Sequence, residues 1–445
     1  DISYKINDFN DSELYLLKYI KIDNSNSKVF NWLGNTYQKK RDFVNSEKFY
    51  TKAIDLDKNN QTALVNLAIL YHNLGNKKKA VFFYKKVLDN NPNNIGALYN
   101  LSNLEKTSVN DETLNKLERL VNEGNLNNFD TASCYFLLAE NEKNKKDFKK
   151  EIFFLKNANL HSFQEKEKKN KQANKYWLKI IPKKFDKIIY PKDKKLSANT
   201  KQFYPIFIIG LPRSGSTLIE SIISSGKNKV ENLGETNLVN WSFLNTNRHI
   251  LESANNKEKL NINFEITASK LVKSIQNLNI KNEEKIFFSE KSLENFFYIE
   301  LILNIFPNAK FVHSYRNTID NIFAIYKQFL SNVSWSHSIE DILEYIDNYI
   351  NVIKYFKKKY PNKIFSILLE DFTENPKNFS MELFKFCNLE WDEKCLEFYK
   401  KNDLFSNTAS NNQIRSSVQK YNKKKYEAYN SLLNSYLKKY NWIKF

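Results

Sequence analysis

Cysteine is scarce: Cys134, Cys387 and Cys395 are the only three in 445 residues. None stands at metal-ligand spacing from another, and an odd set does not make a disulfide framework. Histidine is scarce too, with five scattered residues, so no metal site is expected. No apolar run approaches the roughly 18 residues of a membrane-spanning helix. No secretory leader is recognisable, although the sequence opens at Asp1 without methionine, which leaves a removed segment open. The cytoplasm is the expected compartment. Acidic residues are in deficit, with 50 Asp and Glu against 69 Lys and Arg, a formal net charge of +19. Such a surplus suits nucleic acid, an anionic membrane or acidic substrates. The lysines are spread along the chain rather than gathered on one element. We therefore read a solvated surface and expect no nucleic-acid partner; steering of an anionic substrate is the functional alternative.

What is present is a repeat. After a leading helical patch (Leu14, Leu16, Leu17, Ile20), Ser27 to Asn60 and Gln61 to Asn94 match each other at a period of 34 residues. Leu33, Gly34, Tyr37, Tyr50 and Ala53 in the first copy answer to Leu67, Ala68, Tyr71, Tyr84 and Val87 in the second, joined by Ala80 and Pro92. These are the tetratricopeptide signature places: small residues let paired helices approach, and aromatics fill the space between pairs. A third copy starts at Ile95, and a divergent one returns over Asp130 to Asn159. Helical pairs of this kind bury their faces only against neighbours, so a curved array is expected. Its concave face is a candidate surface for a protein or peptide; a scaffold or homodimer contact is the equal alternative. The expected division is a repeat domain over 1–165, a lysine-rich connector over 166–202, and a second domain over 203–445.

In the second domain, Ile206 to Ile209 form a short apolar run without helical period, which reads as a buried parallel strand. Gly210 to Gly215 breaks it. Leu218, Ile219, Ile222 and Ile223 then recur at helical spacing. Strand, glycine-bounded loop and helix in this order build an anion site, because the first N–H groups of a helix lack partners and carry the positive end of its dipole. Gly210 and Gly215-Ser216-Thr217 have Walker A spacing, but Ser216 stands where a triphosphate site wants lysine. The cation is Arg213, inside the loop. Further strands are expected at Ile286 to Ser289, Lys310 to Ser314 and Phe365 to Leu369, alternating with helices near 216–225, 262–279, 294–305, 317–331 and 338–358. That alternation argues for a parallel sheet covered on both faces, with ligands at the carboxyl ends of its strands.

Pro212-Arg213-Ser214-Gly215-Ser216-Thr217 resembles the loop that holds the 5′-phosphosulfate of PAPS (3′-phosphoadenosine 5′-phosphosulfate) in sulfotransferases. The branch it resembles most contains tyrosylprotein sulfotransferases and bacterial proteins with tetratricopeptide repeats before the catalytic domain. The implied architecture is an all-α repeat array followed by an α/β, P-loop-like sulfotransferase domain. The implied co-substrate is PAPS, with no metal, and the acceptor is a hydroxyl or amine, a protein tyrosine among the candidates.

The resemblance assigns residues. Arg213, Ser214, Gly215, Ser216 and Thr217 bind the 5′-phosphosulfate. Glu235, in Leu233-Gly234-Glu235-Thr236, is similar to the catalytic base. Lys291, in Ser289-Glu290-Lys291-Ser292-Leu293-Glu294-Asn295-Phe296, is similar to the lysine that assists the leaving group, with Leu293 in place of the family proline. Arg316 resembles the arginine on the 3′-phosphate. The family serine eight residues later is Ala324 here, and Tyr326 is a candidate substitute. Leu369, before Glu370-Asp371, replaces a tyrosine that contacts the nucleotide. Thr408-Ala409-Ser410 and Gln413-Ile414-Arg415 resemble a late loop closing over the 3′-phosphate end, through Ser410. Lys425, before Tyr426, takes the place of a lysine that precedes tryptophan. His313 reads as a core histidine without a role.

Two other classes stand beside this reading. One is a catalytically silent, repeat-based binding module, suggested by Ala324 and Leu369. The other is a nucleotide kinase or NTPase, against which the missing Walker lysine argues.

Overall fold

Asparagine and aspartate set the rhythm of the first helices. In the computed structural model, α1 (Phe9–Ile22) leads into α2 (Ser27–Lys39), α3 (Phe43–Leu56), α4 (Gln61–Asn73), α5 (Lys77–Asn90) and α6 (Ile95–Leu104). The residues described are 9–191, 200–252, 259–278, 284–401, 405–408, 410–422 and 425–444. Asn26, Asn60 and Asn94 each accept a backbone N–H at the start of α2, α4 and α6. Asp42 and Asn76 do the same for α3 and α5. Each cap satisfies an otherwise orphaned donor and is worth about 1 kcal/mol. The helix starts therefore recur with the repeat itself.

The signature residues fill the spaces between these helices. Leu33, Tyr50, Ala53, Leu67, Ala68, Ala80, Tyr84 and Val87 are buried in one continuous core. The Tyr50 hydroxyl donates to Asn35 Oδ1 at 2.6 Å, so the ring is buried without stranding its polar end. The same unit includes a late segment ending at Ser406. There Phe405 stacks on Phe43, with centroids 4.3 Å apart, and the Ser406 N–H donates to the Asn73 carbonyl at 2.9 Å.

Compactness divides the chain at Asn115, whereas the repeat pattern runs on to about residue 159. The divergent copy forms α7 (Asn128–Lys145) and α8 (Phe148–Gln164), and both belong to the second unit. Buried polar contacts hold them there. Asn159 donates to the Tyr326 carbonyl at 3.0 Å, and Glu151 pairs with Lys327 at 2.5 Å and accepts from the Tyr429 hydroxyl at 2.7 Å. The lysine-rich stretch after α8 packs in part, burying Tyr176, Leu178 and Ile181.

The second unit carries a five-stranded parallel sheet. Its strands are β1 (Phe203–Gly210), β2 (Glu231–Asn232), β3 (Ile286–Glu290), β4 (Lys310–Tyr315) and β5 (Ile364–Leu368), in the order β2-β3-β1-β4-β5. Six of the eight β1 residues, Pro205 to Gly210, are buried in succession, as expected of a strand covered on both faces. Phe207 pairs with Phe311, and Gly210 with Ser314. Helices α9 (Ser216–Ile223), α10 (Thr318–Tyr326) and α11 (Ile339–Lys359) follow or flank the central strands. Two local expectations shift. The stretch 294–305 opens as a 3-10 turn over Leu293–Tyr298 before becoming α-helical at Ile299. Leu369, expected to end a strand, begins a helix instead. Among the described residues no helix is long and apolar enough to cross a membrane.

Candidate active site

The loop after β1 folds because its carbonyls are tied down. Asn321 donates to the Pro212 carbonyl at 2.6 Å, Arg316 Nη1 to the Arg213 carbonyl at 3.2 Å, and Ser314 Oγ to the Ser214 carbonyl at 2.8 Å. In a trans peptide the N–H points opposite to the carbonyl. Fixing three successive carbonyls on one side therefore presents the N–H groups of Arg213, Ser214 and Gly215 on the other. Arg213 itself is held at φ 66°, a conformation that costs a non-glycine residue about 1–3 kcal/mol.

Glycine is required at both ends of this loop. Gly210 has φ 152°, and a Cβ there would meet the Ser314 carbonyl oxygen at 2.2 Å. Gly215 has φ 92°, and a Cβ would meet the Leu369 side chain at 2.6 Å. Leu369 thus packs against the loop where the family tyrosine would stand. Gly215 also caps α9, whose first residues Ser216 and Thr217 are buried.

Arg213, Arg316, Ser410 and Lys425 converge on one cavity of about 400 Å³, with Gly215 and Leu369 also in its wall. Arg213 Nη1 donates to Ser410 Oγ at 2.6 Å. The Thr217 and Thr408 hydroxyls are 3.1 Å apart, which ties the late loop to the start of α9. Burial, and then the charges of Arg213 and Arg316, push the Lys425 ammonium below its ordinary value. A lysine depressed by two arginines around a cavity marks a place where an anion is favoured. One buried polar atom of the lining supports this: Arg316 Nε has no hydrogen-bond partner among the described residues. A phosphorylated, sulfated nucleotide fits such a cradle: it brings the acceptor that this donor lacks. Ala409, within the Thr-Ala-Ser signature, lies outside the described residues, as do Lys423 and Lys424 beside Lys425.

Glu235 and Lys291 form a second centre. Lys291 Nζ donates to Glu235 Oε1 at 2.7 Å; the lysine side chain is fully buried and the glutamate is 40% exposed. Burial opposes the ammonium charge, but Glu235, Glu220 and Glu290 together outweigh it and hold Lys291 above its ordinary value. Glu290 does the positioning. It accepts from the Thr236 N–H at 3.2 Å and its hydroxyl at 2.7 Å, from the Ser292 N–H at 3.0 Å, and from Asn295. The Lys291 N–H donates to the Gly234 carbonyl at 2.8 Å. One buried carboxylate therefore fixes the Gly-Glu-Thr turn against the lysine. Burial, helped by Glu235 and Glu290, raises the Glu294 carboxyl to about 7.

The structure places seven of the expected residues in two groups, while Ser214, Ser216 and Thr217 are buried outside the cavity lining. Arg213, Gly215, Arg316, Ser410 and Lys425 line the cavity, while Glu235 and Lys291 pair at the end of β3, the strand next to β1. Neighbouring strands are about 4.8 Å apart, so the pair stands one strand away from the loop. Ala324 is buried on α10 and offers no hydroxyl. Tyr326, the candidate substitute, lines a different cavity with Asn159, His337 and Tyr436. His313 is buried between Ser366 and Tyr349, and burial pushes it down to about 3. Sequence reasoning quoted Glu290 and Thr408 within their motifs without giving either a role, and missed Tyr421. Glu290 adjoins Lys291 and was open to detection as a second acid in that motif; nothing local marks Tyr421.

Residues 205–393 match the model of the sulfotransferase family. Residues 27–60 and 62–94 match models of the tetratricopeptide repeat. A protein of Aquifex aeolicus (strain VF5) with no assigned function is 26% identical over 333 residues, which is 73% of this chain and 43% of that protein. The chain thus spans less than half the length of that relative. Among solved structures, the sulfotransferase domain of the Synechococcus PCC 7002 olefin synthase aligns with TM-score 0.35 and 12% identity, over 54% of this chain and 92% of that domain. A sulfotransferase of Mycobacterium avium aligns with TM-score 0.31 and 12% identity, over 55% of this chain and 78% of its own. The chain carries tetratricopeptide repeats followed by a domain of the sulfotransferase family.

Proposed function

We propose that the protein transfers a sulfuryl group from PAPS to a hydroxyl or amine of an acceptor. The observation that carries this is the convergence of Arg213, Arg316 and Lys425 on one cavity beside the tied loop, one strand from the Lys291–Glu235 pair. The donor supplies an activated sulfur; the rest is the work of this chain. Arg213, Ser214, Gly215, Ser216 and Thr217 bind the 5′-phosphosulfate, and Arg316, Ser410 and Lys425 bind the 3′-phosphate end. Glu235 accepts the acceptor's proton as its oxygen or nitrogen bonds to sulfur. The bond from sulfur to the phosphate oxygen breaks, and that oxygen keeps the electron pair. Lys291, paired with Glu235 in the resting site, offers its charge to the departing oxygen. Positioning and charge neutralisation dominate such transfers.

On this reading residues 1–165 act as the repeat domain, 166–202 as the connector and 203–445 as the catalytic domain. The repeat array presents a protein or peptide, with a tyrosine hydroxyl as one acceptor, and the reaction is cytoplasmic and needs no metal.

The test is a thermal-shift titration with PAP, the desulfated product, against an ATP control. Ligand at about 100 times its dissociation constant adds roughly 2.7 kcal/mol of stability. A shift with PAP that Arg213→Ala and Arg316→Ala abolish supports the proposal. No shift at millimolar PAP overturns it and leaves the repeat-based binding module.

A further inference from the structure

Arg316 is held in the cavity in large part by one side chain, that of Tyr421. Its guanidinium stacks over the Tyr421 ring, 4.8 Å from the centroid, and Nη2 donates to the Tyr421 hydroxyl. That hydroxyl donates in turn to Asp320 Oδ2, which lies 3.7 Å from Arg316 Nη2. Tyr421 is itself anchored, its N–H donating to Thr373 Oγ1 at 3.2 Å, and it lines the same cavity as Arg213 and Lys425. Nη1 is spent on the Arg213 carbonyl, while Nε is buried with no hydrogen-bond partner among the described residues.

An arginine left with an unmet donor is open to a further acceptor, and the Tyr421 hydroxyl bonded to its Nη2 lies beside that place. On α10, Ala324 carries no hydroxyl and Tyr326 lines the other cavity. The Tyr421 hydroxyl donates to Asp320 only while no better acceptor is at hand. A phosphoryl dianion beside Arg316 is such an acceptor. Asp320 then keeps Arg316 as its partner, so no carboxylate is left buried and unpaired.

We propose that Tyr421 is a specificity-determining residue of the donor site: its hydroxyl turns from Asp320 to the phosphoryl group gripped by Arg316, and so selects nucleotides bearing a 3′-phosphate. This rests on the donor-site reading above. The exchange is of hydrogen bonds alone and transfers no proton between groups.

The experiment measures the affinities of wild type and Tyr421→Phe for PAP and for adenosine 5′-phosphate, which lacks only the 3′-phosphate. A hydrogen bond to a charged acceptor is worth a factor of about 10 or more in affinity. The expected result is a loss of about tenfold or more for PAP with adenosine 5′-phosphate unchanged. Equal loss for both ligands would show a merely structural ring and overturn the proposal. Unchanged PAP affinity would overturn it while leaving the donor-site reading intact. Failure of the wild type to bind PAP would overturn both.

Discussion

Replacing Lys291 with methionine removes a buried cation that faces three carboxylates, Glu235, Glu220 and Glu290. At 2.7 Å, the Lys291–Glu235 attraction amounts to about 6 kcal/mol before desolvation, at an effective dielectric near 20. Removing one partner of a buried pair typically costs about 3–5 kcal/mol. Glu235 is 40% exposed, so water takes over part of its side and favours the low end. Glu220 and Glu290 are 3% exposed and have no such relief. The expected loss for Lys291→Met is therefore about 3 kcal/mol. Two compact units make a single transition for the whole chain an unsafe assumption. Tryptophan emission isolates the relevant one, because Trp177, Trp241, Trp335, Trp391 and Trp442 lie in the second unit and only Trp32 in the first. With a urea slope of about 3 kcal/mol per molar, the midpoint of that transition should fall by roughly 1 M. The deficit also has a pH signature. Lys291 is held above its ordinary value of 10.5 in the fold. Its stabilisation is therefore full below 10.5 and fades as pH rises through the folded value. The gap between wild type and variant should close above that point. A midpoint unchanged by the substitution, or a gap that persists undiminished in strong alkali, would refute the assignment of Lys291 as a buried charge held by its carboxylates.

Gly210→Ala should cost about 2 kcal/mol or more and weaken PAP binding, because its Cβ meets the Ser314 carbonyl, a backbone atom that cannot turn aside. Wild-type melting and PAP affinity in that variant would count against a tightly closed loop. Acid should destabilise the second unit through His313, which burial pushes down to about 3, and His337, pushed down to about 4. In the unfolded chain both take a proton near 6.5, so stability falls as pH drops below that, by about 1.4 kcal/mol per unit and histidine. Glu294 acts the other way, since a carboxyl raised to about 7 is protonated first in the fold. The difference between wild type and His313→Asn isolates one histidine. It should change by about 2.5 kcal/mol between pH 7 and pH 4.5, and a flat difference would contradict burial of a neutral ring.

The parts of the fold that burial dictates were legible. Four strands announced themselves as apolar runs, and the repeats as a fixed period with small and aromatic residues in place. The fifth strand did not, because Glu231–Asn232 is two polar residues long and joins the sheet only through its pairing with Phe288 and Ser289. The 3-10 turn at Leu293 was hidden for a related reason: Glu290 pins the Ser292 N–H and Asn295 from outside the helix. Tyr326 was excluded by geometry already present in the sequence. It follows Ala324 by two residues, and at about 100° per residue that turns it some 200° around the helix, away from the face on which a substitute would be needed. Tyr421 was out of reach, because it meets Arg316 from 105 residues away through tertiary packing alone.

The site depends on strand order more than on any one motif. Arg213, Lys291 and Arg316 each follow the carboxyl end of a strand, and the order β3-β1-β4 makes those three ends neighbours. A parallel sheet aligns its carboxyl ends, so charges far apart in sequence are placed side by side without any local signal between them. The arrangement has a cost: Arg213 is held at positive φ, and Lys425 is depressed by desolvation and then by its fellow cations. Sequence consistency normally removes such conflicts, and their survival at one end of one sheet is what a functional site looks like. The carboxylates show the complementary solution. Glu290 is surrounded by donors and serves to hold the Gly-Glu-Thr turn, whereas Glu235 keeps two-fifths of its side chain open to solvent. On the proposed reading, Glu235, the exposed acid of these two motifs, is the one that meets an acceptor. That division of labour follows from exposure and hydrogen bonding, and it makes Glu235, not Glu290, the residue whose loss should spare donor binding and abolish transfer.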